Sequence, residues 1–269
     1  MSRFRAYFLR HLGVQLDNSS SLTNTLFKRL LNLLGVESSS KTFSFFKRFY
    51  RRTGSHINIP KSFSFNGEDL ILAKYLPELN GSYLDIGSGN PTLGSNTYYF
   101  YKKGWAGITI DPLDRSFRRH RLRRKRDSQL LGVVTGSEDI GAKVIFYEYS
   151  ADDFSTTSEK RYLELLKVGN KPIRIREVEI IDLDQLKLSV EPLDPYLLDL
   201  DIEGDEFAVL NSINWEAFLP RVIAVEEWLS PINVPTRVRL LLEEKGYVLA
   251  SRAFITSIYV HKDYLHRAQ

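Results

Sequence analysis

The sequence predicts an α/β fold: a seven-stranded, mostly parallel sheet with helices on both faces. Three observations predict it. A short apolar run, Tyr83 to Ile86, breaks into Gly87-Ser88-Gly89-Asn90-Pro91, the pattern of a buried parallel strand entering a tight loop. Strand-like and helix-like runs then alternate to the end of the chain, which argues for a sheet wound on both sides. Acidic residues cluster where several of these strands should end.

Length and composition fit one large domain with a short extension. The chain has 269 residues, 43% of them hydrophobic. It has no cysteine, which removes disulfides, thiolate metal sites and a cysteine nucleophile together. No stretch approaches the roughly 18 apolar residues of a bilayer span. The basic N-terminus lacks the sustained apolar run of a signal peptide. The reading is therefore cytoplasmic, with a peripheral membrane contact as its variant. The net charge of +4 and pI near 9.1 are mild, but the charge is unevenly spread.

Residues 1–60 read as a basic helical extension and residues 61–269 as the main domain. The first segment carries ten Lys and Arg, from Arg3 to Arg52, against Asp17 and Glu37. Leu22, Leu26, Leu30, Leu33 and Leu34 repeat at helical spacing, and Phe45, Phe46, Phe49 and Tyr50 form an aromatic-basic stretch. Two readings stand: a helical cap on the main domain, or contact of residues 1–52 with an anionic membrane.

In the main domain, Ser64-Phe65-Asn66-Gly67-Glu68-Asp69 leads into a helix ending near Pro77. After the glycine loop, Ser95-Asn96-Thr97 supplies capping residues for a helix from Tyr98 to Lys103 that stops at Gly104. The loop is neither G-x-G-x-x-G nor a P-loop. Asp85, two residues before Gly87, gives instead the D-x-G-x-G form seen in S-adenosylmethionine-dependent methyltransferases. Gly107 to Pro112 is a second strand ending in Asp111, where a carboxylate can accept hydrogen bonds from ribose hydroxyls. The other reading of Asp111-Pro112 is a strand-terminal turn.

Arg115 to Arg126 is the most basic stretch. It suggests nucleic acid when taken alone, but a solvated helix face anchored by Phe117 and Leu122 explains it as well. Strand-like runs follow at 130–134, 144–149, 178–181, 196–202, 222–225, 247–250 and 255–260. Helical patterns lie at 206–213 and 234–245, and the last two strands suit an antiparallel hairpin at one edge. Asp199, Asp201 and Glu203 alternate onto one side of their strand at a junction with the next helix. Ligands of open α/β sheets sit outside the carboxyl ends of strands, so these acids, and Glu226 one strand later, should face the crevice of Asp85 and Asp111. None of the five histidines falls in a motif; His261 reads as a surface residue.

Several of these motifs, in this order, resemble the FkbM family of S-adenosylmethionine-dependent O-methyltransferases. Ser64 to Asp69 resembles its Ser-Gln-x-Gly-Glu-Asp motif, with Phe65 in place of glutamine. Asp85-Ile86-Gly87 with Pro91, Ser95-Asn96-Thr97, Gly104-Trp105-x-Gly107 and Ile110-Asp111-Pro112 resemble its cofactor half. Arg126-Asp127, Ser155-Thr156, Asp201-x-Glu203-Gly204-x-Glu206, Trp215, Pro220 and Glu226 resemble the remainder. The resemblance implies a class I methyltransferase (Rossmann-like) fold and methyl transfer from S-adenosylmethionine to a hydroxyl, commonly on a sugar, glycan or natural product. Asp85, Gly87, Ser88, Gly89, Asn96, Asp111 and Pro112 are then the expected cofactor residues. Asp201, Glu203 and Glu226 are the expected catalytic ones. Asp201 and Glu203 can act as acid-base groups or hold a divalent cation, magnesium or manganese; the direct role ranks first. Two alternatives remain: a nucleic-acid methyltransferase, and a non-catalytic binding or scaffold protein retaining the fold. Against the first stand the lack of an Asn/Asp-Pro-Pro-aromatic tetrapeptide and of cysteine.

Overall fold

Strand β1 (Ser82–Ile86) is buried on both faces from Tyr83 to Ile86, as its unbroken apolar run demands, and it lies inside the sheet. The computed structural model describes residues 61–136, 142–151, 154–183, 197–202, 206–216, 218–227 and 234–265. The expectations for the basic segment 1–60 lie outside these residues, as does Glu203.

Eight further strands follow: β2 (Ala106–Asp111), β3 (Ser128–Leu131), β4 (Lys143–Glu148), β5 (Arg174–Glu179), β6 (Leu197–Leu200), β7 (Val222–Glu226), β8 (Tyr247–Ala253) and β9 (Thr256–His261). Seven form one sheet in the order β3-β2-β1-β6-β7-β9-β8. The first five are parallel, while β9 runs antiparallel to β7 and to β8. The chain order reverses at β1, which opens a crevice at the carboxyl ends of β1 and β6, where ligands of such sheets bind. This is the class I methyltransferase arrangement.

Alternation along the strands sorts the two faces. Leu84, Ile86, Ile108, Ile110, Leu198, Leu200, Ile223 and Val225 share one core with Val209, Leu210, Val238 and Leu242. The last four come from α5 (Glu206–Ser212) and α6 (Arg237–Glu244). On the other face Tyr83, Leu197, Val222 and Ala224 pack with Leu72 of α1 (Glu68–Tyr75) and Phe100 of α2 (Tyr98–Lys103). Each such buried aliphatic or aromatic side chain contributes about 1.5–3 kcal/mol. Helix α1 opens after Gly67, at φ 87°, with Glu68 and Asp69 in its first turn, where the dipole favours acids. Helix α2 ends at Gly104, φ 110°, as the sequence predicts.

Three expectations change. The runs at 144–149 and 178–181 do not join the sheet; β4 and β5 form a separate antiparallel pair. Their sequence shows why: Lys143, Glu148, Arg174, Arg176, Glu177 and Glu179 put charge on both faces, leaving only a small apolar patch on the face of Val144, Phe146 and Val178. Phe146 and Val178 pack on Leu113 and Val133. The loop between β4 and β5 carries α4 (Glu159–Lys167), capped by Ser158, whose Oγ accepts from the Arg161 N–H at 3.2 Å.

The second change concerns α3 (Asp114–Arg123). Leu122 is no anchor; it is 72% exposed. The buried residues are Ser116, His120 and, just past the helix, Arg124. The Arg124 side chain has no exposed surface. Its Nε donates to Asp127 at 2.7 Å and its Nη2 to Thr97 Oγ1 at 2.8 Å. Its Nη1 donates to Ser95 Oγ at 3.3 Å and lies 3.7 Å from Asp85. Asp127 also accepts from the Tyr83 hydroxyl at 2.7 Å and the Gly107 N–H at 3.1 Å. One guanidinium thus ties β1, β2, α2 and the α3–β3 turn. His261 is likewise buried, at the end of β9 against Tyr247 at 5.1 Å, because the closing strand turns inward under α7 (Lys262–Leu265).

Arg124→Met keeps the length but strands two buried carboxylates without their cation, at a cost of about 3–5 kcal/mol. Urea denaturation should show that loss, with Arg123→Met, at an exposed neighbour, close to wild type. A small loss at Arg124 would mean that the network is not structural.

Candidate active site

The glycine loop is fixed by its backbone. The Gly87 and Ser88 N–H groups both donate to the Ile110 carbonyl, at 2.9 and 3.1 Å. Gly87 sits at φ 83°, and a Cβ there would overlap the Asp201 carbonyl oxygen. A side chain at Gly87 is therefore excluded first by the β6 end, not by a bound ligand. Gly89 sits at φ 50°, where a Cβ would meet only the Gly87 carbonyl oxygen, at 3.9 Å. Its N–H donates to Asp111 Oδ2 at 2.7 Å, and Asp111 Oδ1 accepts from the Leu113 N–H at 2.8 Å. Ser116 Oγ donates to the Gly89 carbonyl. The carboxylate ending β2 thus holds the loop as well as facing the crevice.

A cleft of about 270 Å³ opens there. Gly87, Ser88, Gly89, Asp111, Pro112 and Asp201 line it, so six expected site residues meet at one place. Asp201 follows β6 directly, its N–H donating to the Ile86 carbonyl at 3.0 Å. Its side chain is exposed. Phe65, at the unusual motif position, is 75% exposed on the rim. The motif around it is folded on itself: Asp69 accepts from the Phe63 N–H at 2.6 Å, Ser62 Oγ at 2.7 Å and Ser64 Oγ at 2.9 Å. The Asn66 N–H donates to Glu68 at 2.8 Å. With its neighbours turned inward, the Phe65 ring faces outward beside Gly94.

Three expected residues are not in the cleft wall. Asp85 is buried, accepting from Thr97 Oγ1 beside Arg124. Asn96 donates to Asp199 Oδ1 at 3.0 Å. Glu226, the last residue of β7, is buried rather than at the rim, although the register puts it on the same sheet face as Asp199. Its neighbour Glu227 accepts from Thr236 Oγ1 and from the Tyr259 hydroxyl, so it serves the α6 cap. Asp85 and Asp199 are register partners on adjacent strands. Burial pushes the Asp85 carboxyl up to about 6, with Arg124 and Thr97 pulling the other way. Burial, then the facing Asp85, holds Asp199 well above the usual carboxylate range.

Sequence reasoning missed the wall opposite. Phe146 of β4 and Ser155, Thr156 and Thr157 of the following loop line the cleft. Arg176 clamps them by donating to the Pro112 carbonyl, and Glu148 pairs with Arg115 at 3.3 Å and Arg176 at 3.4 Å. Only the Ser155-Thr156 pair hinted at this. Among the described residues no three His, Asp or Glu side chains are placed to share a metal ion.

The raised acids carry a pH signature. Asp85 and Asp199 hold protons more tightly folded than unfolded. Their stabilising contribution is complete below about pH 4 and declines as pH rises, through about 6 for Asp85. Asp199→Asn keeps the Asn96 bond and removes one titration. Between about pH 4 and 7 the wild-type melting temperature should therefore fall relative to this variant's. A constant difference would show that Asp199 is ionised throughout.

No curated protein matches the chain. Among solved structures, a TehB-like S-adenosylmethionine-dependent methyltransferase from Corynebacterium glutamicum is 12% identical over 81% of this chain and 97% of its own, with a TM-score of 0.37. A methyltransferase from Geobacter sulfurreducens is 11% identical over 87% and 95%, with a TM-score of 0.40. Monomeric WbdD is 13% identical over 76% of this chain but 46% of its own, with a TM-score of 0.39. These likenesses are too distant to carry an argument about the site. The Methyltransferase FkbM domain, in contrast, matches residues 85–249, from Asp85 through the cleft and into β8. Since that match spans more than half of the sequence, the chain belongs to the FkbM family of S-adenosylmethionine-dependent methyltransferases.

Proposed function

We propose that this methyltransferase acts on a hydroxyl of a sugar, glycan or natural product, and that Asp201 takes the hydroxyl proton. One observation carries the reading. Two carboxylates line the cleft among the described residues, and Asp111 already accepts from two backbone N–H groups. Asp201 is the exposed one, set against the glycine loop.

The residues present fit S-adenosylmethionine. Gly87, Ser88 and Gly89 leave the loop backbone open to the cleft, and Asp111 and Pro112 stand beside it at the end of β2. Asp111 retains lone pairs for ribose hydroxyls, since each oxygen has more than one. Asp85 and Asn96 act from behind, holding α2 and β6 in place. When bound, S-adenosylmethionine supplies a methyl group already activated by its sulfonium. The chain's own tasks are then to position the acceptor oxygen and to receive its proton on the Asp201 carboxylate. The cation version pairs Asp201 with Glu203, which lies outside the described residues.

Asp201→Asn should reduce methyl transfer by about a hundredfold or more, the scale of a lost general base, with donor affinity nearly unchanged. Full activity in this variant would remove the proposed role. Activity abolished by chelation and restored by magnesium or manganese would favour the cation version.

Asp111→Asn should weaken binding of S-adenosylhomocysteine by about 1–3 kcal/mol in calorimetry. Unchanged affinity would take Asp111 out of the donor site.

A further inference from the structure

Helix α3 presents solvent with an arginine face that the methyl-transfer chemistry does not use. At about 3.6 residues per turn, Arg118 and Arg121 fall on the side away from buried Ser116 and His120, Arg119 lies on the flank, and Arg123, the last residue of the helix, returns toward the buried side. All four are exposed, as is Lys125 just beyond. None meets a carboxylate among the described residues. Arg118 Nε donates to the Asp114 carbonyl of its own helix at 3.3 Å, and Arg121 lies 5.8 Å from the Phe117 ring centroid. In the middle of this arc, with arginines on both sides, stands Leu122, 72% exposed.

A lone exposed leucine is ordinary. A leucine at the crest of four exposed arginines is a different surface. A nucleic acid would engage the cations but gain nothing from the leucine, and no exposed aromatic ring interleaves to stack on bases. A membrane interface uses both: guanidinium groups meet lipid phosphates while the apolar side chain enters the acyl boundary. We propose that the exposed face of α3 docks on the surface of an anionic lipid bilayer. The proposal does not depend on the identity of the acceptor or on the role of Asp201.

The test is co-flotation of the full chain with phosphatidylcholine vesicles containing about a third phosphatidylglycerol, and with phosphatidylcholine alone, at low and high salt. The variants are Arg118→Gln/Arg119→Gln and Leu122→Ala. The residues are exposed, so unchanged melting temperatures serve as the control for folding. The N-terminal cations are present in every sample and contribute a constant background. Binding should require the anionic lipid and fall by about fivefold per neutralised arginine. Leu122→Ala should lose severalfold at unchanged salt. Absence of wild-type binding, or equal binding by wild type and both variants, would overturn the proposal. So would loss in the arginine variant with none in Leu122→Ala, particularly if a short DNA duplex bound more tightly than the vesicles.

Discussion

A guanidinium with no exposed surface constrains the active half of this molecule. Acids placed at strand ends inside an α/β sheet are expensive to bury. Asp85 and Asp127 are accepted because Arg124 reaches both, and because Ser95, Thr97, Tyr83 and the Gly107 N–H supply the remaining polar contacts. This one cation fixes where α2 begins relative to β1 and where the chain turns after α3. The glycine loop hangs between those two anchors. Its conformation is settled from outside, by Arg124 behind and by Asp111 and Ile110 in front, before any ligand enters.

Much of this was legible in the sequence. Strand β1, the loop and α2 read clearly because each carries its own local signal: an apolar run, glycines at positive φ, and a terminating Gly104. The closing strands were legible for the same reason. The β4–β5 pair was not, because a half-apolar strand reads alike whether it joins a sheet or covers a cleft. Leu122 and Arg124 reversed their expected roles. Hydrophobicity assigns leucine to the inside and arginine to water, and only the carboxylates contributed by β1 and the β3 approach overturn that preference.

The site was legible in part, with a consistent physical limit. Alternation tells which face a residue takes but not how deep along the strand the crevice starts. Asp111 and Asp201, the last residue of β2 and the first after β6, reach the opening. Asp85 and Asp199 share the same face two residues earlier in register and remain inside. Motif membership cannot separate the two groups, because a family pattern retains buried supports alongside ligand contacts.

The clamped β4–β5 ribbon has a structural corollary. Its ladder hydrogen bonds are internal, and it meets the sheet through a bridge between Val133 and Ile180, the small core around Leu113 and the Glu148–arginine pairs. One wall of the cleft therefore belongs to the sheet and carries the glycine loop, while the facing wall belongs to an attached ribbon with its own fold. The two walls answer to different constraints. The sheet wall must satisfy buried charges and tolerates little change. The ribbon wall, bearing Phe146 and Ser155 to Thr157, can be reshaped without disturbing them. If the site works as proposed, the division lets the ribbon change the acceptor while the sheet wall keeps the donor.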